Sequence, residues 1–333
     1  MKRADNTLVK AMNKQLVRET LKRLRQATKQ ELAQQTGLSV VTINALLKDM
    51  MADGEVYQGE LVPSNGGRPS ALYHYNGNYE LAVIIYGHQK NNRNYLKLLV
   101  VNLFEECVYE EAVYMEQIME SSFEPLLDKV VAKYPAISLL AFGLPGAEHE
   151  GRILVHDYPE LVGDTFIQHY KERYSVPVIY VNDINAAVYG YYYRHTSLLE
   201  AETVVGVYFP RMYGPGAGIM INGELYVGSQ HFAGEVGHYP IGCDWSTLDY
   251  TDAQAVTEAV GKLIAMISVV LAPSHIVLYG DFWKEHSAER ISRYAEQVIR
   301  HTFSLDVVVS DQFEEDFEHG MIQFSLKQFN HKS

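Results

Sequence analysis

Between residues 29 and 54 the apolar positions fall into two short helical stripes separated by a glycine. Thr28-Lys29-Gln30-Glu31 has the form of a capping box, in which the threonine covers a helix N-terminus and the glutamate three residues on reaches back. Leu32 and Ala33 supply the inner face of a first helix. Gly37 sits where the turn after it needs a positive φ, and Leu38 fills the corner. Ser39 caps a second helix over 40–51, whose stripe is Ile43, Leu46, Leu47 and Met50 and which Gly54 ends. Residues 55–60 and 70–75, on either side of Pro63-Ser64-Asn65-Gly66-Gly67, pattern as a β-hairpin. Helix, turn, capped helix and hairpin in this order predict a winged helix–turn–helix, which lays its second helix in the major groove of DNA. A plain helical subdomain is the alternative reading of the same stripes.

After Asn76-Gly77-Asn78 the period changes. Strands are predicted over 81–86 and 95–103 around the polar turn 89–94, then an amphipathic helix over 123–134 and a buried strand over 137–143. A strand over 176–181 leads through Asn182-Asp183 into a helix over 184–193. Strands over 204–209, 217–221 and 225–227 follow, then a long helix, Ala253–Leu271, and a strand over 276–279. Such alternation argues for an α/β body of two lobes. The expected division is a head over 1–76, a first lobe over 77–195 and a second over 196–333, with the last helix packing back on the first lobe.

Charge divides the chain in the same place. The net charge is −13, but residues 1–75 hold 11 Lys/Arg against 7 Asp/Glu, and the remainder holds 17 against 34. Nine of the basic residues precede Gln30, where only Asp5 and Glu19 oppose them. Basic residues that displace counterions supply much of the affinity for a duplex, and an acidic body is repelled by it; a solvated helix face accounts for the basic run equally well. The two cysteines, Cys107 and Cys243, fit a reducing compartment with no disulfide framework. No apolar stretch follows the basic N-terminus, so no leader is expected. The longest apolar run, 263–273, is too short to span a bilayer. A cytoplasmic protein with no membrane partner is expected.

Four blocks in the body carry a family resemblance: Gly143-Leu144-Pro145-Gly146, Asn182-Asp183-Ile184-Asn185-Ala186-Ala187, Gly214-Pro215-Gly216-Ala217-Gly218 through Ile221-Asn222-Gly223, and Ala233-Gly234-Glu235-Val236-Gly237-His238. In this order they resemble the ROK family, which groups sugar kinases with related repressors. The predicted head and Gly66-Gly67-Arg68-Pro69 resemble its repressor branch, which includes regulators of xylose and N-acetylglucosamine genes. The resemblance runs from about Asn13 to the C-terminal helix. It implies an α/β chain: an N-terminal winged helix–turn–helix followed by the two-lobed actin-like ATPase fold of sugar kinases. It also implies that Asp183 matches the kinases' general base, and that Asn182, Glu235 and His238 match side chains that hydrogen-bond sugar hydroxyls. A sugar is a ring of donors and acceptors, so carboxylate, amide and imidazole suit it. The bland alternative is that Asp183 caps the helix at Ile184 and that 234–238 is a plain turn.

The departures argue against phosphoryl transfer. The family's first phosphate loop is an Asp followed by paired glycines and Thr; here the stretch is Ile85-Tyr86-Gly87-His88-Gln89-Lys90-Asn91. A γ-phosphate needs backbone N–H groups and a metal-organising carboxylate, and this hairpin offers neither. Tyr213 stands where a small hydroxyl residue is usual, and Tyr279-Gly280-Asp281 keeps only one of two glycines. The family's zinc cluster has three cysteines after the His matching His238; here only Cys243 follows. His231, His238, Cys243 and Asp244 match no zinc spacing. The stretch from His238 to the long helix is abbreviated, and Glu160 replaces a sugar-contacting Asn. No catalytic residue, cofactor or metal is expected.

In the recognition helix, Val40, Thr42 and Asn44 are the outward candidates behind the Ser39 cap. Asn bonds adenine bidentately, and Val or Thr touches a thymine methyl. Lys48 suits a phosphate. Arg68, between Gly67 and Pro69, suits a narrow minor groove, a phosphate contact or a simple linker. The expected function is a transcriptional regulator, in the sense of a repressor, of carbohydrate-use genes. Its partners would be a double-stranded DNA operator and a sugar or sugar phosphate effector, and its form a homodimer or homotetramer. The alternatives are an active sugar kinase with a DNA-binding head, and a ligand-free regulator with a degenerate body.

Overall fold

Local capping chemistry builds the head. A computed structural model describes residues 2–63, 69–90, 93–155, 158–195, 202–210, 213–242, 244–300 and 305–330. Its first elements are α1 (Lys2–Leu24), β1 (Gln26–Thr28), α2 (Lys29–Thr36), α3 (Val40–Ala52), β2 (Val56–Val62) and β3 (Ser70–Tyr75). The capping box forms: Thr28 Oγ1 accepts the Glu31 N–H at 3.3 Å and Glu31 Oε2 accepts the Thr28 N–H at 2.7 Å. Gly37 adopts φ 71°, and its N–H closes α2 on the Ala33 carbonyl. Ser39 Oγ accepts the Thr42 N–H at 3.1 Å, starting α3 where the sequence places it. β3 lies between β1 and β2 in an antiparallel sheet. Ile43, Leu46, Leu47 and Met50 are buried against Val17 and Leu21 of α1 and Tyr73 and Tyr75 of β3. Each such burial stabilises by roughly 1.5–3 kcal/mol.

The body repeats one arrangement twice. In the first sheet, β4 (Leu81–Lys90), β5 (Arg93–Asn102) and β6 (Cys107–Met115) form an antiparallel meander. β7 (Ile137–Leu144) adds parallel to β4, and β10 (Val178–Asn182) adds parallel to β7. β8 (Ala147–His149) and β9 (Arg152–Val155) make a small hairpin between them in sequence. In the second sheet, β11 (Thr203–Tyr208), β12 (Gly216–Ile221) and the two-residue β13 (Glu224–Leu225) are antiparallel, while β14 (His275–Tyr279) and β15 (Val307–Ser310) continue parallel. The strand expected over 225–227 is thus shorter than its apolar residues suggested.

Helices fill three layers around the sheets. α4 (Glu124–Lys133) and α5 (Thr165–Tyr174) cover one face of the first sheet. α7 (Ala253–Leu271) and α8 (Ser287–Ile299) cover one face of the second. α6 (Asp183–Arg194) and α9 (Phe313–Asn330) lie between the two sheets, within a single apolar cluster that draws on both. The C-terminal helix therefore does pack on first-sheet strands. α6 and α9 cross backbone to backbone: a Cβ on Gly190 would lie 1.9 Å from the Asp316 carbonyl oxygen, and one on Gly320 would lie 1.9 Å from that of Ala186. α7 is long and apolar enough by length and composition to cross a membrane, against the expectation from its shorter uninterrupted run. Its Val260, Leu263 and Ile264 are buried in the second-sheet core, as in a core helix.

Candidate nucleic-acid interface and ligand cleft

Helical phase decides what α3 offers. Val41 is 81% exposed and Val40 45%, and Asn44, Ala45 and Lys48 share the solvent side. At 100° per residue, Val41, Asn44, Ala45 and Lys48 form one stripe opposite the buried one. Thr42 is half-buried on the flank, and its hydroxyl lies 2.9 Å from Ser39 Oγ. This corrects its placement among the outward residues: the i, i+2 choice of positions 40, 42 and 44 ignored the helical turn, and Val41 was missed. Asn44 Oδ1 accepts from Lys29 Nζ of α2 at 2.6 Å. Ser39 is exposed at the helix start. Arg68 lies outside the described residues.

Among the described residues, four of the nine basic residues before Gln30 are ion-paired within the protein. Lys10 binds Asp49 at 2.6 Å and Lys14 binds Asp53 at 2.7 Å, tying α1 to α3. Arg18 forms a two-point pair with the fully buried Glu55, its Nη2 donating to Oε2 at 3.1 Å. Arg25 pairs with Glu106 of the body at 2.8 Å. These four cations hold the head together and join it to the body.

Where β7 and β10 end beside β12, a narrow cleft of about 70 Å³ opens between the two sheets. Asn182, Asp183 and Glu235 line it together with Gly146, Tyr208 and His231. Asn182, last residue of β10, caps α6: its Oδ1 accepts the Asn185 N–H at 3.1 Å and its Nδ2 donates to the Gly146 carbonyl at 3.0 Å. Asp183 Oδ1 accepts the adjacent Ile184 N–H at 2.7 Å, and the residue is buried at the cleft wall. Burial pushes the Glu235 carboxyl above the usual carboxylate range, with the charge of His238 opposing the shift. His238 itself is exposed, stacks on Phe232 at 6.3 Å and does not line the cleft, contrary to its expected place. Sequence reasoning also missed Asn185, one helical turn from the cap: it is 9% exposed, lines the cleft, and its Oδ1 has no hydrogen-bond partner among the described residues.

The hairpin that would carry a first phosphate loop is packed with side chains. His88 is buried edge-on between Tyr95 and Phe313, and burial lowers its pKa to about 4. Phe313, at the start of α9, stacks on Tyr208 at 4.1 Å and meets Tyr279 edge-on. Lys90 pairs with Glu314 at 2.5 Å, Lys97 with Glu318 at 2.7 Å and Arg194 with Asp316 at 2.5 Å. Aromatic rings and carboxylates of α9 thus occupy the space between β4 and the ends of β11 and β14. The glycine-rich strand β12 is backed by the 233–237 segment, Ala217 N–H donating to the Gly234 carbonyl at 2.8 Å. Among the described residues no three His, Cys, Asp or Glu side chains gather to hold a metal. Cys243, one member of the weighed His231, His238, Cys243 and Asp244 set, lies outside the described residues.

Comparison with known proteins agrees with this architecture. A model of the ROK family matches residues 93–255. The xylose repressor of Bacillus spizizenii is 23% identical over 257 residues, which cover 72% of this chain and 62% of that protein. The chain spans about three-fifths of the length of the curated relatives it matches. Among solved structures, a ROK family transcriptional regulator homologous to the E. coli MLC protein superposes with a TM-score of 0.61 at 15% identity, over 96% of this chain and 99% of that one. The ROK hexokinase of Thermus thermophilus gives 0.58 at 13% identity, over 75% of this chain and 99% of that one. At these identities the likeness concerns the fold, which is shared by regulators and kinases alike.

Proposed function

We propose that this chain, which belongs to the ROK family, is a DNA-binding transcriptional repressor of carbohydrate-use genes, relieved by a sugar or sugar phosphate bound between its lobes and without kinase activity. The carrying observation is the division of chemistry within one chain. A capped helix presents Val41, Asn44 and Lys48 to solvent at one end, and a cleft lined by Asn182, Asp183 and Glu235 lies between the sheets of the body. Residues 1–76 act as a winged helix–turn–helix and residues 77–195 and 196–333 as two actin-like lobes. α3 enters the major groove, where Asn44 exchanges its Lys29 contact for an adenine and Val41 meets a thymine methyl. Lys48 takes a phosphate, and Arg68 in the connection between β2 and β3 reaches the minor groove. Two copies read a two-fold operator.

The packed hairpin at His88 supports the loss of phosphoryl transfer. The ring of Phe313 and the Lys90–Glu314 and Lys97–Glu318 pairs fill the hairpin side of the interlobe space, where a triphosphate would need open backbone. The curated relatives named as xylose repressors support the regulatory reading over the enzymatic one. The cleft shifts the equilibrium between two lobe arrangements only as far as its ligand binds them unequally.

The test begins with selection of genomic fragments on the immobilised full-length protein, then a salt titration of the captured fragment. Salt-sensitive retention is expected, released by a sugar, with Asp183→Asn retaining DNA but no longer released. Absence of retention on every fragment removes the regulator reading. Turnover of ATP with any hexose or pentose removes the claim that kinase activity is lost.

A further inference from the structure

The cleft does not end at Asn182 and Asn185. On the far side of these residues a second chamber of about 340 Å³ opens between β8, β10, α5, β13 with the segment after it, and the last turns of α9. Ala147, Asn182, Asn185 and His231 line both spaces, so the two meet along one shared wall. Their linings differ in balance. The cleft alone offers the carboxylates Asp183 and Glu235, whereas the chamber adds Ile167, Ile179, Leu225, Val227 and Phe324, with Glu148, Tyr180 and Gln328 as its own polar groups. Their sizes differ too: the first holds a few waters' worth of space, and the second reaches the lower range of small-molecule sites.

Asn185 marks the junction. A buried amide oxygen without a partner carries a desolvation cost of about 1–3 kcal/mol, which a donor from a ligand relieves. Its backbone N–H is held by Asn182, which fixes its main chain at the start of α6. A hydroxyl placed at that oxygen sits at the boundary between a polar space and an apolar one.

Resting on the sugar reading above, we infer that the effector is a glycoside rather than a free monosaccharide: its sugar ring is held at Asp183 and Glu235, and a second, less polar group extends past Asn185 into the chamber. The chamber's aliphatic and aromatic walls select an aryl or alkyl aglycone, or the apolar face of a second ring, because an apolar group gains by leaving water and a phosphate does not.

Calorimetric titration of the full-length protein with methyl and phenyl glycosides of xylose and glucose, both anomers, tests this. The phenyl glycoside of the sugar that binds is expected to bind at least about tenfold more tightly than its methyl counterpart. Val227→Trp, which fills the chamber alone, should erase that gain and leave the methyl glycoside unchanged; Gln328→Trp on α9 is the second variant if the first fails to fold. Equal affinity of methyl and phenyl forms, or a gain that survives both substitutions, overturns the glycoside inference and leaves the sugar cleft standing. Binding of neither form of any sugar overturns the cleft reading and this inference with it.

Discussion

His88 shows at a single residue how side chains fill the hairpin of β4 and β5. Its ring lies between Tyr95 and Phe313, with Glu314 and Lys90 the charged groups beside it, and burial holds its pKa near 4. In the unfolded chain the ring titrates near 6.5. Between these values the folded chain binds fewer protons than the unfolded one. Stability is therefore full above pH 6.5 and is lost as pH falls through the window, by about 3 kcal/mol at pH 4. Urea midpoints at pH 7 and pH 4 measure this, and His88→Phe should remove that share of the loss; an unchanged slope would locate the acid sensitivity elsewhere. Residue-level placement was legible only where a motif names its own neighbours. Asn182, Asp183 and Glu235 could be picked because the blocks containing them end at the cleft. Asn185 belongs to the same block, but whether its amide faces protein or open space depends on how the lobes close over α6. Thr42 was misplaced because alternate positions do not share a helix face.

At the level of elements, signals carried within four or five residues were readable and signals carried by distant packing were not. The Thr28–Glu31 box, the Gly37 turn and the Ser39 cap each depend on adjacent residues, and each forms where the sequence puts it. α1 was not predicted, although Val17, Leu21 and Leu24 recur at helical spacing among its charged residues. β6 is an edge strand whose exposed glutamates mask its alternation. The crossing of α6 and α9 was unreadable, since its two glycines lie far apart in the chain and nothing local distinguishes them. It is nonetheless a sensitive point. Gly320→Ala adds a methyl group against the Ala186 carbonyl and should lower stability by about 1–3 kcal/mol. A thermal midpoint equal to that of the parent protein would show that the helices separate at little cost.

For the whole molecule, the joint between head and body is the part through which any response must pass. The β5–β6 turn supplies it. Leu103 packs against both the head core and the interlobe core, and Phe104 lies edge-on to Tyr75, with the Arg25 guanidinium 4.6 Å above its ring. Arg25 also reaches Glu106. Phe104→Ala should leave DNA affinity and effector affinity each within about twofold, and should shrink the factor by which one alters the other. Fluorescence anisotropy of a labelled operator with and without effector reads that factor; an undiminished response would show that the signal takes another route. The backbone contact between Gly190 and Gly320 sets the form such a signal takes. Two main chains already touching have no gap left to close, and no interlocking side chains stand between them there. On the proposed reading this contact would serve the lobes as a fulcrum, about which a slight tilt at a ligand would become a longer arc at the DNA.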